Sequence, residues 1–282
     1  MNEEAWRPII PTGNEDVLSE GFPTQMREAV FGWMQLRVGA SRGYVQSAVF
    51  VNFQNAARTN LGFKADITLN WVQQVLPHLR KISDTDFTNL LDYLTSTGDF
   101  YQGNERHPLD PVLSQGGSAW TVVRWNGHHA RLTKRVPDGV REAVASTLTA
   151  TDAASVKLQE AWVDAYGTNP RGSVAYFHAV VAVEIAVLSV ISVGKEDATL
   201  ANTFSILEAE APKWRLIFRD NERAPGAKTV AAMLRTLWRG QESRHGRSVY
   251  EDATLEEARA AVILAATIIQ WFTSGVVLAV ES

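Results

Sequence analysis

Arg239 and His245, with five residues between them, lie in LRTLWRGQESRHGRS, a 15-residue stretch that also holds Arg235, Arg244 and Arg247. A guanidinium offers forked donors to charge developing on a phosphorus centre. An imidazole titrates near neutral pH and can serve as base, acid or both. RNA carries its own nucleophile, the 2′-hydroxyl, so such a pair could cut RNA without a metal and leave a 2′,3′-cyclic phosphate.

Spacing alone does not single this pair out. With this many arginines and histidines, about one Arg-x(4–6)-His match is expected by chance. The chain holds three: Arg124 to His129, Arg171 to His178, and Arg239 to His245. The first spans an Asn-Gly turn and reads as ordinary hairpin residues. The second runs from a turn into an apolar helix, where His178 reads as a core histidine bonded to a carbonyl. The third sits where a helix stops. Residues six apart on one helix differ by roughly 240° and cannot converge. Gly240 is placed to break the helix, so that Arg239 and His245 can face one pocket, with Arg235, Arg244 and Arg247 adding positive field. A structural role competes, because cations in a last helical turn meet the helix dipole and cap free carbonyls.

Other familiar chemistry is missing. The chain has no cysteine, which excludes disulfides, thiolate nucleophiles and cysteine-based metal sites, and fits a reducing cytoplasm. The six histidines show no HxH or HExxH spacing. His128 and His129 would leave a strand on opposite faces. PGAKT lacks the spacing of a phosphate loop, and Ser192 to Lys195 matches SxxK without its partner motifs. No metal and no cofactor is therefore expected. The net charge of −4 makes the whole molecule no general polyanion binder, so any contact with nucleic acid needs a local basic patch.

The elements that must position these residues are mostly helical. Nine tryptophans spread from end to end argue for a packed core. Helices are expected from a Thr24 cap through Leu36, over GYVQSAVFVNFQNAAR, over ITLNWVQQVL to a stop at Pro77, and over DFTNLLDYLTS to Gly98. DFYQGNERHPLDPVLSQGG reads as loop. SAWTVVRW-NG-HHARLTKRV reads as a β-hairpin over about residues 118–136. Helices then resume. One ends at Gly167 after a Thr or Asp cap; an apolar one runs through His178 and Glu184; another ends near Pro212; another stops at Gly240. Thr254 to Glu257 spells a capping box for the last. No secretory signal is visible in MNEEAWRPII. Ala260–Val280 is uncharged and long enough for a bilayer, but its alanines, threonines and Gln270 favour a buried bundle helix, so no membrane span is expected.

The pieces LQEAW through Tyr166-Gly167, SVAYFHAVVAVEIAV, ATLANTFSILE and MLRTLWRGQESRHG together resemble the abortive-infection C-terminal family, within the class of HEPN-like helical bundles. Their order and spacing match over about residues 145–275. EGFPTQMREAVFGWM resembles, more weakly, the helical modules that precede such bundles. The resemblance implies a mainly α protein: a helical N-terminal domain over 1–142 ending in the hairpin, then a HEPN-like bundle over 143–282. It further implies a cytoplasmic phage-defence or toxin ribonuclease, dimeric through the bundle, whose Arg239 contacts phosphate and whose His245 moves the proton. Glu184 stands where such bundles hold a polar residue facing the site, and a buried carboxylate paired with an arginine for structure is its alternative role. The residue after the arginine departs from the family: Gly240 stands where Asn, Asp or His is common. A non-catalytic RNA- or protein-binding module is the rival reading.

Overall fold

The computed structural model describes residues 18–97, 107–125, 129–210, 212–240 and 252–280. Among them are eleven α-helices and three small two-stranded antiparallel sheets, so the protein is mainly helical. The chain divides into two compact units, one formed by residues up to 123 with 128–135, the other by 124–127 with 136–282.

In the first unit, α1 (Thr24–Arg37), α2 (Ala48–Ala57), α4 (Asp84–Ser96) and α5 (Leu109–Gln115) bury Met26, Met34, Phe50, Phe53, Phe87, Leu90 and Leu113 against one another. Thr24 is the first helical residue rather than the cap; Pro23 takes that place, with no side-chain bond. The run expected as one helix from Gly43 divides. Gly43 turns the chain at φ 82°, and β1 (Tyr44–Gln46) pairs with β2 (Thr68–Asn70) before α2 begins. Pro77 does not stop a helix either. A π-helical turn (Trp71–Val75) hands over to α3 (Leu76–Leu79), and Pro77 falls in the opening turn of that new helix, where a missing N–H costs nothing. Gly98 lies outside the described residues.

β3 (Trp120–Trp125) and β4 (His129–Lys134) form the expected sheet, and the Asn-Gly turn with His128 lies outside the described residues. β4 is fastened to α4 by a half-buried ion pair. Asp92 accepts from Arg131 Nε at 3.0 Å and Nη2 at 2.7 Å, and from the Leu132 backbone N–H at 2.9 Å.

The second unit is built around α8 (Gly172–Val190), which packs chiefly on α7 (Ala153–Tyr166) and α11 (Leu255–Thr273). An apolar helix can be central in this way because its small residues Ala175, Ala179, Ala182, Val183 and Ala186 admit neighbours on two sides. Caps set the flanking helices. Asp152 accepts from Ala154 N–H at 3.1 Å and Ser155 N–H at 3.0 Å, opening α7, and Gly167 follows its last turn. Buried Gln159 donates to the Leu148 and Ala150 carbonyls, tying α7 to the end of α6 (Asp138–Thr149). Thr254 and Glu257 make the expected reciprocal capping box: the Glu257 N–H reaches Thr254 Oγ1 at 3.2 Å, and the Thr254 N–H reaches Glu257 Oε2 at 2.8 Å.

The remaining elements are α9 (Leu200–Leu207), β5 (Trp214–Leu216), α10 (Gly226–Arg239) and β6 (Val277–Ala279). α9 ends well before Pro212, because the chain must leave it to pair β5 with β6. The uncharged run Ala260–Val280 is not one helix. α11 stops at Thr273, Gly275 takes φ 76°, and the chain returns as β6. Among the described residues only α8 is long and apolar enough to cross a membrane, and nearly half of it is buried inside the unit.

Removing Asp92 would take away the acceptor of the half-buried Arg131 guanidinium and of the buried Leu132 amide. Asp92→Ala is expected to destabilise the protein by about 1–3 kcal/mol, measured by denaturant unfolding.

Candidate functional site

α10 presents its apolar face inward through Val230, Ala231, Leu234 and Leu237, which leaves Arg239 exposed at its last position. Arg239 has no ion-pair partner among the described residues. The helix ends there, as the glycine after it suggested, with the Gly240 N–H bonded to the Thr236 carbonyl. Gly240 keeps an ordinary helical conformation, φ −66°, so its role is one of space. A Cβ at that position would lie 2.2 Å from the Tyr176 hydroxyl, which donates to the Leu237 carbonyl at 3.1 Å. Burial, with Glu257 adding to it, pushes the Tyr176 phenol up, so it stays a protonated donor. The glycine at this position is thus required by the packing of Tyr176 on α8 against the end of α10.

His245, Arg244 and Arg247 lie outside the described residues. The chain on both sides of them is fixed to the same place. Leu237 and Gly240 meet Tyr176, and on the far side Ser173 Oγ donates to Asp252 at 2.7 Å and accepts the Ala253 N–H at 3.0 Å. Gly172 comes so close to Ala253 that a Cβ would stand 2.4 Å from its carbonyl oxygen. Both flanks of the basic segment are held by the first two turns of α8.

Two other expected site residues are engaged in bonds within the unit. Arg235 forks onto Glu208, with Nη2 2.6 Å from both carboxylate oxygens, and lies 4.6 Å over the Phe204 ring. It braces α10 against the end of α9. Glu184 has no arginine partner among the described residues; its Oε2 accepts the Leu200 N–H at 2.7 Å and so satisfies the opening of α9.

The pair set aside on sequence grounds, Arg171 and His178, is brought together. Asp164, on the last turn of α7, accepts from Arg171 Nε at 2.9 Å and from its Nη2 through one oxygen, and from His178 Nδ1 at 2.9 Å through the other. His178 therefore bonds a carboxylate, not the backbone carbonyl expected. Its Nε2 lies 3.7 Å from Glu160, which Lys157 also holds. The sequence signal was the short Gly167–Arg171 turn, which sets the last turn of α7 opposite the first turns of α8. An imidazole with one nitrogen fixed by a buried carboxylate has a defined tautomer. With Glu160 across the other nitrogen, the charge-balanced group acts as a clasp between α7 and α8. Burial would raise the Asp164 carboxyl, but the His178 and Arg171 donors outweigh it and hold the group below the usual range.

Compared with protein-family models, curated proteins and solved structures, the chain matches none.

Two outcomes follow from this geometry. Gly240→Ala is expected to lose about 1–3 kcal/mol by forcing the Tyr176 ring away, and Tyr176→Phe in that background to recover part of the loss, read as a double-mutant cycle. A carboxyl with a lowered folded-state pKa stabilises fully above its unfolded value and loses that contribution as pH falls through the folded one. The stability gap between wild type and Asp164→Asn should therefore be widest near neutrality and narrow below about pH 4, seen in thermal midpoints against pH.

Proposed function

We propose that the second unit is a HEPN-like bundle acting as a metal-independent endoribonuclease of phage-defence or toxin type. Arg239 contacts the scissile phosphate. His245 removes the 2′-hydroxyl proton, the 2′-oxygen attacks phosphorus, and the bond to the 5′-oxygen breaks as that oxygen takes up a proton from the imidazolium, leaving a 2′,3′-cyclic phosphate and a 5′-hydroxyl end. The observation that carries this reading is the exposed Arg239, unpaired among the described residues, at the head of a basic segment whose two flanks are held to one end of α8.

The proposal includes a homodimer through the bundle. Val174, Phe177, Val181, Ile185 and Leu188 form an incompletely covered apolar stripe along α8, the kind of surface a second copy would bury. A cytoplasmic location, without membrane attachment, belongs to the same proposal.

A second reading is a non-catalytic RNA- or protein-binding module. It is favoured by the commitment of Arg235 to Glu208 and of Glu184 to Leu200, which leaves fewer groups for chemistry.

Incubation of purified protein with single-stranded RNA in EDTA decides between them. The nuclease reading expects cleavage with cyclic-phosphate ends, and its loss in Arg239→Ala and in His245→Ala. Since Arg239 is exposed, its truncation should leave folding stability within about 1–2 kcal/mol of wild type. RNA that is retained in a gel shift but never cut, with or without added metal, would establish the binding module instead.

A further inference from the structure

β5 alternates in the way a half-buried strand must. Leu216 is buried and Trp214 partly so, while Lys213, Arg215 and Ile217 are exposed. Leu216 is held against the start of α10, where a Cβ on Gly226 would come within 3.0 Å of its backbone nitrogen. Beyond the strand, Phe218 is 60% exposed and Ile217 58%, unusual values for such residues side by side. The Phe218 ring is not loose: it stands edge-on to Trp271, with ring centres 6.1 Å apart at 68°.

The same stretch, residues 213–228, carries Lys213, Arg215, Arg219, Arg223 and Lys228, all exposed and none with an ion-pair partner among the described residues. The loop carrying Arg219 and Arg223 is ordered from within. Asn221 Oδ1 accepts the Arg223 N–H at 3.1 Å and the Ala224 N–H at 2.9 Å, and Asp220 accepts the Gly226 N–H at 2.6 Å. In a chain of net charge −4, five cations against two carboxylates within residues 213–228 form a local reversal of sign.

From this we infer that the β5 strand and the loop after it form a binding surface for single-stranded RNA, separate from the Arg239 segment. The cations follow the phosphates, and Phe218, steadied by Trp271, offers a face to a base, with Ile217 beside it. Exposed aromatic and apolar side chains have no use on a duplex, whose bases are already stacked, but every unpaired base has a face to stack. A bilayer fits less well, since the exposed carboxylates Asp220 and Glu222, two and four residues after Phe218, would be carried toward the headgroups with it. A strand of nucleotides can run past them. The inference rests on the reading of the protein as one that acts on RNA, and it specifies where the RNA is gripped.

The test is fluorescence anisotropy of the full chain with a labelled 2′-O-methyl oligoribonucleotide, which lacks the attacking hydroxyl and so reports binding without cleavage. Phe218→Ala should weaken binding about 10-fold with little change in salt dependence. Replacing Lys213, Arg215 and Arg219 by Gln should weaken it by at least about 10-fold at low salt and reduce the log–log salt slope by about 2. Unchanged thermal midpoints would show that these exposed substitutions leave the fold intact. Variants that bind like wild type would overturn the inference, as would absence of wild-type binding. So would patch-dependent capture by anionic phosphatidylserine vesicles with no patch-dependent oligonucleotide binding. Cleavage assays on unmodified RNA separate the two proposals. Patch-dependent binding without any cutting sinks the nuclease alone, whereas cutting that ignores the patch sinks only this surface.

Discussion

The second unit depends on how closely one end of α8 can be approached. At Gly172 and at Gly240 the neighbouring backbone or hydroxyl comes nearer than any Cβ would allow. Those two approaches bring the last turn of α10 and the first residues of α11 against the same two helical turns. The basic segment leaves from one and returns to the other. A side chain at either glycine would push them apart, because close-packed interiors leave no slack to absorb a methyl group. The same end of α8 is tied to α7 through Asp164 on its other side, so three helices converge there.

Charge in this unit falls into two populations. Asp164, Glu184 and Glu208 each answer a donor within the fold: the Arg171–His178 pair, the first amide of α9, and the Arg235 guanidinium. These bonds satisfy groups that burial or helix ends would otherwise strand. Arg239 and the cations along β5 and its loop are answered by no ion-pair partner among the described residues. A solvated cation alone means little. Arg239 next in sequence to a histidine-bearing stretch, and five exposed cations in the same stretch as an exposed phenylalanine, make no side-chain bond that the fold uses among the described residues. That contrast is why function is sought there and not at the Asp164 clasp.

Much of the helical plan was legible in the chain because caps and stops act locally. Asp152, Gly167, Gly240 and the Thr254–Glu257 box each work within one turn, and each stands at the helix end where it was expected. The misreadings share a cause. Tyr44–Gln46 and the run around Trp71 have helix-compatible residues, yet the pairing of β1 with β2 claimed the first and bent the second into a π turn. Ala260–Val280 was one apolar run in sequence, but Gly275 and the partner strand β5 divided it. In each case a bond between distant residues outweighed a local preference of a few tenths of a kcal/mol per residue.

Residue type and spacing alone thus determined the mainly helical character, most helix ends, the absence of cysteine chemistry and the candidacy of Arg239 and His245. Tertiary structure decided which charges remain available. Nothing in the order of residues told that Arg235 would meet Glu208, that Glu184 would meet the Leu200 amide, or that Arg171 and His178 would close on Asp164. It decided too that Phe218 would stand exposed against Trp271. A side chain's partner is set by which helices and strands pack together, and packing sums weak contacts over the whole unit, beyond the reach of any short pattern.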